Sequence, residues 1–514
     1  LAFILTCVLL RLGPYARLRL SGSAESVPHR YAFTCLPAIE SHMDEVDAVV
    51  ERVRDRVEPD ENERATLDSA IERLLERAET ATEDLPVEVD VVLAGSTARD
   101  TWLTGDRDID VFLRFPTALD RAQLREYGLQ AGHATLPESR EDYAEHPYVV
   151  GEFDGFSIDV VPCYALDDAT DIRSSVDRTP FHTRYLSNRL DDAVASDVRV
   201  CKQLFTGIGV YGSDLRTRGF SGYLTELLVL EHGGFRPLVE AAASWQPPVR
   251  FDPEDHGTAT FDDPLVMIDP TDPERNVAAV LSATNLARFQ HFARDLLADP
   301  REELFVETEP DPVDAATVRD RFTARGTTPV ALHFTVPNVV DDQLWPQLRR
   351  SVSGVGGELD RRGFDVLRAT AVADPREPTA GTDPEEGDTP GPDDRTAALL
   401  FELAVAARPT VERHEGPPVA VPEHAQSFYE TYADSDAAGP FLDGDRYVVE
   451  RPREFTTATG FLDSDALLDV ALGSDIRRAL TAGYDLLVGD EAATLADRFG
   501  RQLARYLDPT VRGR

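Results

Sequence analysis

Two aspartates, Asp108 and Asp110, stand two residues apart in the apolar stretch "DIDVFLRF". This run of β-branched and aromatic residues predicts a strand, and alternate residues of a strand project from one face, roughly 7 Å apart. Two carboxylates at that separation repel each other unless a cation lies between them, and Mg²⁺ prefers such oxygen ligands. In a chain this rich in aspartate, most D-x-D pairs are solvated surface, so the pair needs further support.

That support comes from two more features in a fixed order along the chain. Gly95 and Ser96 end the predicted strand "VDVVLAG" and open a helix, where backbone N–H groups favour a phosphate. Asp159 lies within the apolar strand "FSIDVVPCY", where an unpaired carboxylate would be costly to bury. If the two aspartate-bearing strands are adjacent, three carboxylates gather beside a phosphate-binding loop. This arrangement indicates two-metal phosphoryl or nucleotidyl transfer.

Lys202 is the only lysine among 52 lysine and arginine residues. On a predicted helix, its compact ammonium suits a triphosphate in a way that a planar guanidinium does not; the alternative is a lysine retained by chance on a helix surface. The segment "GIGVYG", residues 207–212, follows this helix rather than a strand, so its G-x-G-x-x-G spacing is not a dinucleotide-binding motif. We interpret it as a helix end and a turn that presents Tyr211.

The net charge of −41 arises from 93 acidic residues against 52 basic ones. Such an acidic excess with almost no lysine resembles adaptation to molar salt, where the Debye length is about 3 Å and self-repulsion is screened. The charge therefore indicates the environment and does not exclude a polyanionic partner. The sequence contains no H-E-x-x-H, G-x-S-x-G or P-loop motif. Four cysteines without C-x-x-C spacing indicate free thiols in a reducing compartment.

The periodicity of apolar residues predicts the elements that must position these side chains. Helices are predicted at 43–57, 61–85, about 119–131, across 180–300 apart from a Pro-rich stretch near 246–253, at 341–362, and from 462 to the end. Besides the three strands quoted above, strands are predicted at "TPVALHFTV", "FDVLRATAVA" and "AALLFELAVA". Between the last two, the acidic segment 373–396 is too rich in Pro and Gly to fold and is predicted as a solvated hairpin loop.

The first ten residues, "LAFILTCVLL", resemble a signal-peptide core. They lack a basic segment and an A-x-A site and are too short to span a bilayer. Residues 1–42 also differ in composition from the acidic sequence that starts at Met43. We interpret residues 1–42 as an over-extended N-terminus of a cytoplasmic protein without a membrane association. A membrane anchor is the alternative.

Beyond single motifs, several long blocks occur in order: "GSTARDTWLTGDRDIDVFLRFP", "YAEHPYVVGEFDGFSIDVVPCY", "SSVDRTPFHTRYL", "VCKQLFTGIGVYGSDLRTRGFSGYLTELL", "DPTDPERNVAAVLS" and "PREFTT". Together they resemble the archaeal (class I) CCA-adding enzymes, which are tRNA nucleotidyltransferases of the DNA polymerase beta-type superfamily. The resemblance runs from Met43 nearly to the C-terminus.

The resemblance implies an α+β multidomain fold. Its expected parts are a polymerase beta-like catalytic head at 43–170, a helical nucleotide-binding neck at 171–300, an α+β body with an RNA-recognition-like sheet at 301–410, and a tail with C-terminal helices at 411–514. The body strands lack the aromatic signature of an RNA-binding sheet, so we interpret that sheet as a scaffold.

The resemblance also implies roles for single residues. Asp108, Asp110 and Asp159 would bind two Mg²⁺ ions, although many relatives have Glu at the position of Asp108. The residues that match nucleotide contacts are Ser96, Arg99, Thr179, His182, Lys202, Tyr211 and Arg275. Among them, Ser96, Arg99, Lys202 and Tyr211 would anchor phosphates, and Arg275 would read the edge of the incoming base.

The implied reaction is template-independent addition of CMP, CMP and AMP to the tRNA 3′ end, from CTP and ATP, with release of pyrophosphate by a homodimer. The alternatives are another terminal RNA nucleotidyltransferase, of poly(A) or oligoadenylate type, and a non-catalytic RNA-binding protein. Arginines in "DLRTRGF", "ERPREFTT" and "VRGR" are candidate tRNA contacts. For each of them, a salt bridge to a neighbouring acid is the alternative.

Overall fold

The computed structural model of the protein describes residues 36–143, 146–257, 259–337, 339–374 and 395–511. Of the predicted N-terminal segment 1–42, residues 1–35 lie outside the described residues. Of the predicted loop 373–396, residues 375–394 lie outside them. The first helix, α1, spans Leu36–Val57 and so begins seven residues before Met43. Among the described residues, no helix combines the length and the apolar character needed to cross a membrane.

The head is built on one mixed five-stranded sheet. In chain order its elements are α2 Glu61–Glu83, β1 Asp90–Ala94, the single-turn α3 Gly95–Ala98, β2 Asp108–Phe115, α4 Arg121–Thr135, β3 Ser139–Tyr143, β4 Pro147–Phe153 and β5 Phe156–Tyr164. The strand order is β1-β2-β5-β4-β3. Within this sheet only β2 and β5 run parallel. The three strands predicted in the head are confirmed, and β3 and β4 add a hairpin that the sequence analysis did not predict.

Alternation along β2 gives the head sheet two different faces. Ile109, Val111 and Leu113 are buried in a core shared with α2 and α4. Asp108 and Asp110 project from the opposite face, which α2 and α4 do not cover. The sheet therefore holds its aspartates on a firm apolar base while leaving their side accessible to a ligand.

The neck follows and contains five helices and a small sheet. Its elements are α5 Thr179–Ser187, α6 Asp192–Gly207, α7 Gly222–His232, α8 Phe235–Ala242, β6 Val249–Phe251, β7 Leu265–Asp269, β8 Asp272–Asn276 and α9 Ala283–Ala298. The prediction that residues 180–300 are mostly helical is confirmed, but it did not include the strands β7 and β8; β6 lies within the Pro-rich stretch that the prediction excepted. Helix α1 packs into the neck core through Val46, Val49 and Val53, beside Phe205 of α6.

The end of α6 confirms the interpretation of "GIGVYG" as a turn. The helix stops at Gly207, and Gly209 adopts φ 70°, the left-handed conformation that ends helices. The amide N–H of Tyr211 then donates back to the carbonyl oxygen of Phe205 at 3.2 Å. The turn thus fixes the backbone of Tyr211 against the neck core.

The rest of the chain forms the body and the tail. Its elements are α10 Ala315–Arg325, β9 Thr328–Thr335, α11 Asp341–Arg361, β10 Val366–Ala373, β11 Thr396–Leu403, β12 Val411–Pro418, α12 Pro422–Tyr432, β13 Ala438–Asp443, β14 Arg446–Pro452, α13 Ala458–Leu462, α14 Ser474–Ala482, β15 Asp485–Val488 and α15 Ala496–Leu507. Strands β12, β14 and β13 form a separate three-stranded sheet, against which α12 packs. Strand β15 returns to the body sheet, in the order β10-β11-β9-β15, so the prediction of helix alone from 462 onward is wrong at β15.

Helices cover both faces of the body sheet at its central strand β11. Leu399 and Phe401 of β11 lie in a core with α11, whereas Ala398 and Leu400 lie in a second core with α10 and α15. Neither face of β11 is open to solvent. This burial agrees with the interpretation of the sheet as a scaffold rather than an RNA-binding platform.

An aromatic cluster in the neck core gives a test of this packing. The Phe289 ring lies 4.8 Å from the Phe205 ring and 5.5 Å from the Phe220 ring, centroid to centroid. Phe289→Ala would leave a cavity, so we expect the free energy of unfolding to fall by about 3–5 kcal/mol, measured by denaturant titration in molar KCl. Phe441→Ala, at a position that is 40% exposed, should change it by less than about 0.5 kcal/mol. Equal effects of the two substitutions would contradict the packing described.

Candidate active site

Three aspartates share one face of the head sheet because β2 and β5 are parallel neighbours. Asp110 lies directly opposite Asp159, and Asp108 lies opposite Ser157. Adjacent strands are about 4.8 Å apart, so the Asp110 and Asp159 side chains start from neighbouring positions. The adjacency on which the sequence argument depended is present.

The pKa values of two of these aspartates are raised, as expected for neighbouring carboxylates that have no cation between them. Burial raises the pKa of Asp159 to about 6, and the Asp110 and Asp108 carboxylates contribute to that rise. Burial and Asp108 also raise the pKa of Asp110, against the opposing effect of Arg99. Within the described residues, none of the three aspartates forms an ion pair. A set of unneutralised carboxylate oxygens is the donor set that Mg²⁺ takes.

The aspartates do not form a closed set of ligands in the observed side-chain positions. Nowhere in the described parts of the chain do three His, Cys, Asp or Glu side chains approach closely enough to hold a metal ion. The backbone therefore places the carboxylates on one face, and side-chain rotation would have to bring their oxygens onto a cation.

Gly95 is required at the end of β1 for two reasons. It adopts φ 70°, where a side chain is strained, and a Cβ atom there would overlap the carboxylate of Asp110. The following Ser96 lies in the single turn α3, and its carbonyl oxygen accepts the N–H groups of Arg99 and Thr101 at 3.2 and 3.0 Å. The helix predicted here is thus one turn that leads into Arg99.

Arg99 and Lys202 meet at one buried carboxylate, Glu226 of α7. The Arg99 Nε donates to both Glu226 carboxylate oxygens at 3.0 and 3.1 Å, and the Lys202 Nζ lies 3.8 Å from Oε1. The Thr101 hydroxyl also donates to Glu226. Glu226 is fully buried, so this carboxylate neutralises both cations where water cannot.

Lys202 itself is only 3% exposed, which excludes the alternative of a chance surface lysine. Its Nζ donates to the Thr101 carbonyl oxygen at 2.8 Å and to the Thr101 hydroxyl at 3.2 Å. Burial lowers the pKa of Lys202, and Glu226 opposes this effect. Gly222, the first residue of α7, lies against both the Tyr211 hydroxyl and the Lys202 side chain, so the two predicted triphosphate contacts are neighbours.

His182 and Arg275 meet at a second buried carboxylate, Asp269 at the end of β7. The His182 Nε2 lies 2.9 Å from Asp269 Oδ2, and an Arg275 guanidinium nitrogen lies 2.6 Å from the same oxygen. The His182 ring stacks on Tyr223, with centroids 3.9 Å apart. Thr179 is the first residue of α5, one turn before His182.

Arg99 connects these groups electrostatically. Its charge acts on the pKa of Asp110, of Lys202 and of His182. Its guanidinium also donates to the Thr183 hydroxyl of α5 at 3.2 Å. Arg99 therefore links three groups between head and neck: the aspartates, the Glu226 cluster and the Asp269 cluster. Ser96 and Thr179 precede Arg99 and His182 in the chain and have no side-chain hydrogen bond to these groups in the described residues.

The sequence analysis missed Glu226 and Asp269. The signal for both was available, because each is an acidic residue inside an apolar run: "YLTELLVL" for Glu226 and "LVMID" for Asp269. The same argument that selected Asp159, the cost of burying an unpaired carboxylate, applies to them. It was not applied outside the head.

Several arginines proposed to contact tRNA are paired with acids. Arg216 lies 3.7 Å from Asp341, and Arg451 and Arg453 share Glu412 at 2.8 and 3.2 Å. For these three the salt-bridge alternative is present. The arginines of "VRGR", residues 512 and 514, lie outside the described residues.

A mixed sheet with aspartates on adjacent strands, beside a one-turn helix that begins at Gly95, defines a nucleotidyltransferase. Residues 71–182 match the family model described as "Nucleotidyltransferase domain". Residues 196–306 match "tRNA nucleotidyltransferase, second domain", and residues 325–379 and 391–489 match "CCA-adding enzyme, C-terminal domain".

Proteins named CCA-adding enzyme align over nearly their whole length. The relative from Haloarcula marismortui is 62% identical over 467 residues, which cover 91% of this chain and 99% of the relative. That from Halorubrum lacusprofundi is 59% identical over 470 residues, 91% and 100% of the two chains. The chain belongs to the CCA-adding enzyme family.

Among solved structures, one of the Cid1 poly(U) polymerase with Mg and 3′-dATP bound aligns with 52% of this chain and 100% of that chain. The identity is 14% and the TM-score is 0.40.

The Glu226 cluster predicts a stability effect. Glu226→Gln keeps the shape of the side chain but removes the carboxylate that forms ion pairs with both Arg99 and Lys202. We expect the free energy of unfolding to fall by about 3 kcal/mol or more, measured by denaturant titration. Glu231→Gln, an exposed position on the same helix, is the matched control and should have little effect. If Glu226→Gln were as stable as the control, the carboxylate would not be neutralising the two cations.

Proposed function

We propose that this protein adds CMP, CMP and AMP, without a template, to the 3′ end of tRNA, using CTP and ATP and releasing pyrophosphate. The observation that carries the proposal is the 62% identity to a CCA-adding enzyme across 91% of the chain, together with the presence of all three aspartates. The tRNA and the two nucleoside triphosphates are the proposed partners. The cytoplasmic location, the homodimer and the domain boundaries stay predictions.

Asp108, Asp110 and Asp159 would hold divalent metal ions. We propose that these are two Mg²⁺ ions. The raised pKa of Asp159 and the absence of ion pairs within the described residues support this role. Bound there, the metal would lower the pKa of the tRNA 3′-hydroxyl and neutralise the departing pyrophosphate. The contribution of the chain itself is to keep the carboxylates on one sheet face, with Gly95 leaving room for Asp110.

Arg99, Lys202, Tyr211 and Ser96 would bind the triphosphate. Arg99 and Lys202 are held beside each other by Glu226, so their charges are already placed before a nucleotide arrives. Such preorganisation avoids the cost of assembling two like charges when the substrate binds. Only part of their charge is used by Glu226, because two cations share one carboxylate.

His182, Thr179 and Arg275 would contact the sugar and the base. They lie on α5 and β8, on the neck side of the aspartates, and the chain would thus place the triphosphate between the metal-binding face and the neck. The neck residues determine how the nucleotide sits, and the head aspartates determine where its α-phosphate meets the 3′-hydroxyl.

Primer extension tests the proposed reaction directly. Three tRNA transcripts, ending before the first C, after the first C and after the second C, are each incubated with single nucleoside triphosphates in molar KCl. We expect two CMP additions on the first, one CMP on the second and one AMP on the third, read on a sequencing gel. Long tails made from ATP alone would contradict CCA addition and favour a poly(A)-type enzyme.

Asp110→Ala tests the role of the aspartates. Without this carboxylate the metal-binding face loses a ligand, so we expect transfer to fall by at least about a thousandfold while the Kd for tRNA stays within about twofold. Asp90→Asn, an exposed residue of β1 that pairs with Arg114 at 2.6 Å, is the matched control and should retain full activity. Activity that survives in Asp110→Ala would place the metal site elsewhere.

A further inference from the structure

Asp269 occupies an unusual position for an acidic residue, because it is fully buried and accepts five hydrogen bonds. Its Oδ1 accepts from the Tyr223 hydroxyl at 3.3 Å and from the N–H and hydroxyl of Thr271 at 2.9 and 2.8 Å. Its Oδ2 accepts from His182 at 2.9 Å and from Arg275 at 2.6 Å. One carboxylate thus joins α5, α7 and the β7–β8 hairpin.

The charge state of Asp269 sets the tautomer of His182. Burial alone would raise the pKa of Asp269, but the hydrogen bonds from His182 and Thr271 and the charge of Arg275 hold it well below its ordinary value. An ionised carboxylate only accepts, so the His182 Nε2 must carry the proton. Burial lowers the pKa of His182 despite this contact, and the neutral ring therefore keeps Nδ1 as an acceptor.

Asp269 holds the planar guanidinium of Arg275 through one of its nitrogens. A guanidinium carries five N–H donors in a rigid fork, and only one of its nitrogens donates to Asp269. Arg275 also lines a cleft of about 740 Å³ together with Arg178 and Asp272. A cleft of this size accommodates a small ligand such as a nucleobase, and the donors of Arg275 that Asp269 does not use remain for it.

We propose that Asp269 is the positioning residue for base selection, since it holds the Arg275 guanidinium at the cleft that would take the base of the incoming nucleotide and fixes His182 on the same carboxylate oxygen. The inference rests on the proposed function. Cytosine and adenine each present an unprotonated ring nitrogen beside an amino group, whereas uracil and guanine present an N–H there. A donor held rigidly at that position pairs with the first two bases and is left unpaired by the others, which is how a site rejects a wrong partner.

Asp269→Asn tests this inference, because asparagine has the same shape but loses the charge. We expect the KM for CTP and for ATP to rise about tenfold or more, with kcat within about threefold. The ratio of UMP to CMP incorporation should also rise. A loss of folded protein alone would lower kcat and the thermal midpoint, but would change neither KM nor the ratio of UMP to CMP incorporation. If Asp269→Asn does not fold, Asp269→Glu carries the same test, since it keeps the charge but moves the oxygens.

Asp263→Asn is the matched control. Asp263 supports β8, the strand that carries Arg275, because it accepts a hydrogen bond from the Asn276 side chain at 2.9 Å. It forms no hydrogen bond or ion pair with Arg275 or His182. We expect its KM values and its UMP-to-CMP ratio to equal those of the unmodified protein. If it reproduced the Asp269→Asn effects, the role of Asp269 would be general support of the hairpin and the inference would be overturned.

Coupling to Arg275 gives a second, independent readout. In an Arg275→Met background, Asp269→Asn should raise KM much less than in the unmodified chain, because the group being oriented is gone. If Asp269→Asn raised KM by the same factor in the Arg275→Met background as in the unmodified chain, the inference would be overturned. If the unmodified protein adds neither CMP nor AMP to tRNA, the proposed function fails. If it does so and Asp269→Asn behaves identically, only the present inference fails.

Discussion

The arrangement of the site depends on one buried carboxylate. Glu226 lies on α7 in the neck, and it neutralises Lys202 of α6 and Arg99, which follows the first strand of the head. Burying two cations without a counter-charge would cost several kcal/mol for each. This contact therefore stabilises the packing of the head loop against the neck helices that brings all three charges together. That packing fixes the distance between the aspartate-bearing sheet and the residues proposed to bind the triphosphate.

A consistent difference in charge follows from this arrangement. The cations of the site have internal partners: Glu226 for Arg99 and Lys202, and Asp269 for Arg275. Asp108, Asp110 and Asp159 have none within the described residues. The protein thus balances the charges that are proposed to contact the substrate, but leaves the carboxylates that are proposed to hold the metal without an ion-pair partner. Because the partners are buried, molar salt, which screens exposed pairs at about 3 Å, weakens them far less.

The parts of the fold that could be predicted were those with strong alternation or long periodicity. The strands carrying the aspartates, β2 and β5, have the predicted boundaries. In both, apolar residues fill one face of the strand, and the aspartates stand among apolar residues on the other face. Strand β3, "SREDY", is polar and exposed, and β15 has four residues, too few to distinguish from a helix–helix linker. The ten candidate site residues were predicted by motif and resemblance, and their roles stay predictions. Glu226 and Asp269 each stand in an apolar run, so the sequence indicates a buried acid that needs a partner. Only the tertiary structure shows that the partners are Arg99 and Lys202 for Glu226, and His182 and Arg275 for Asp269.

The parallel pairing of β2 with β5 has a consequence for biosynthesis. A parallel connection cannot be closed by a tight turn, and here it contains α4, β3 and β4. A nascent chain that has emerged only as far as β4 already carries Asp108 and Asp110 but lacks the strand that supplies Asp159. The third aspartate joins the sheet only when β5 is inserted between β2 and β4. A truncated translation product of that length would thus lack one of the three aspartates proposed to hold the metal, as well as every neck residue proposed to bind the nucleotide.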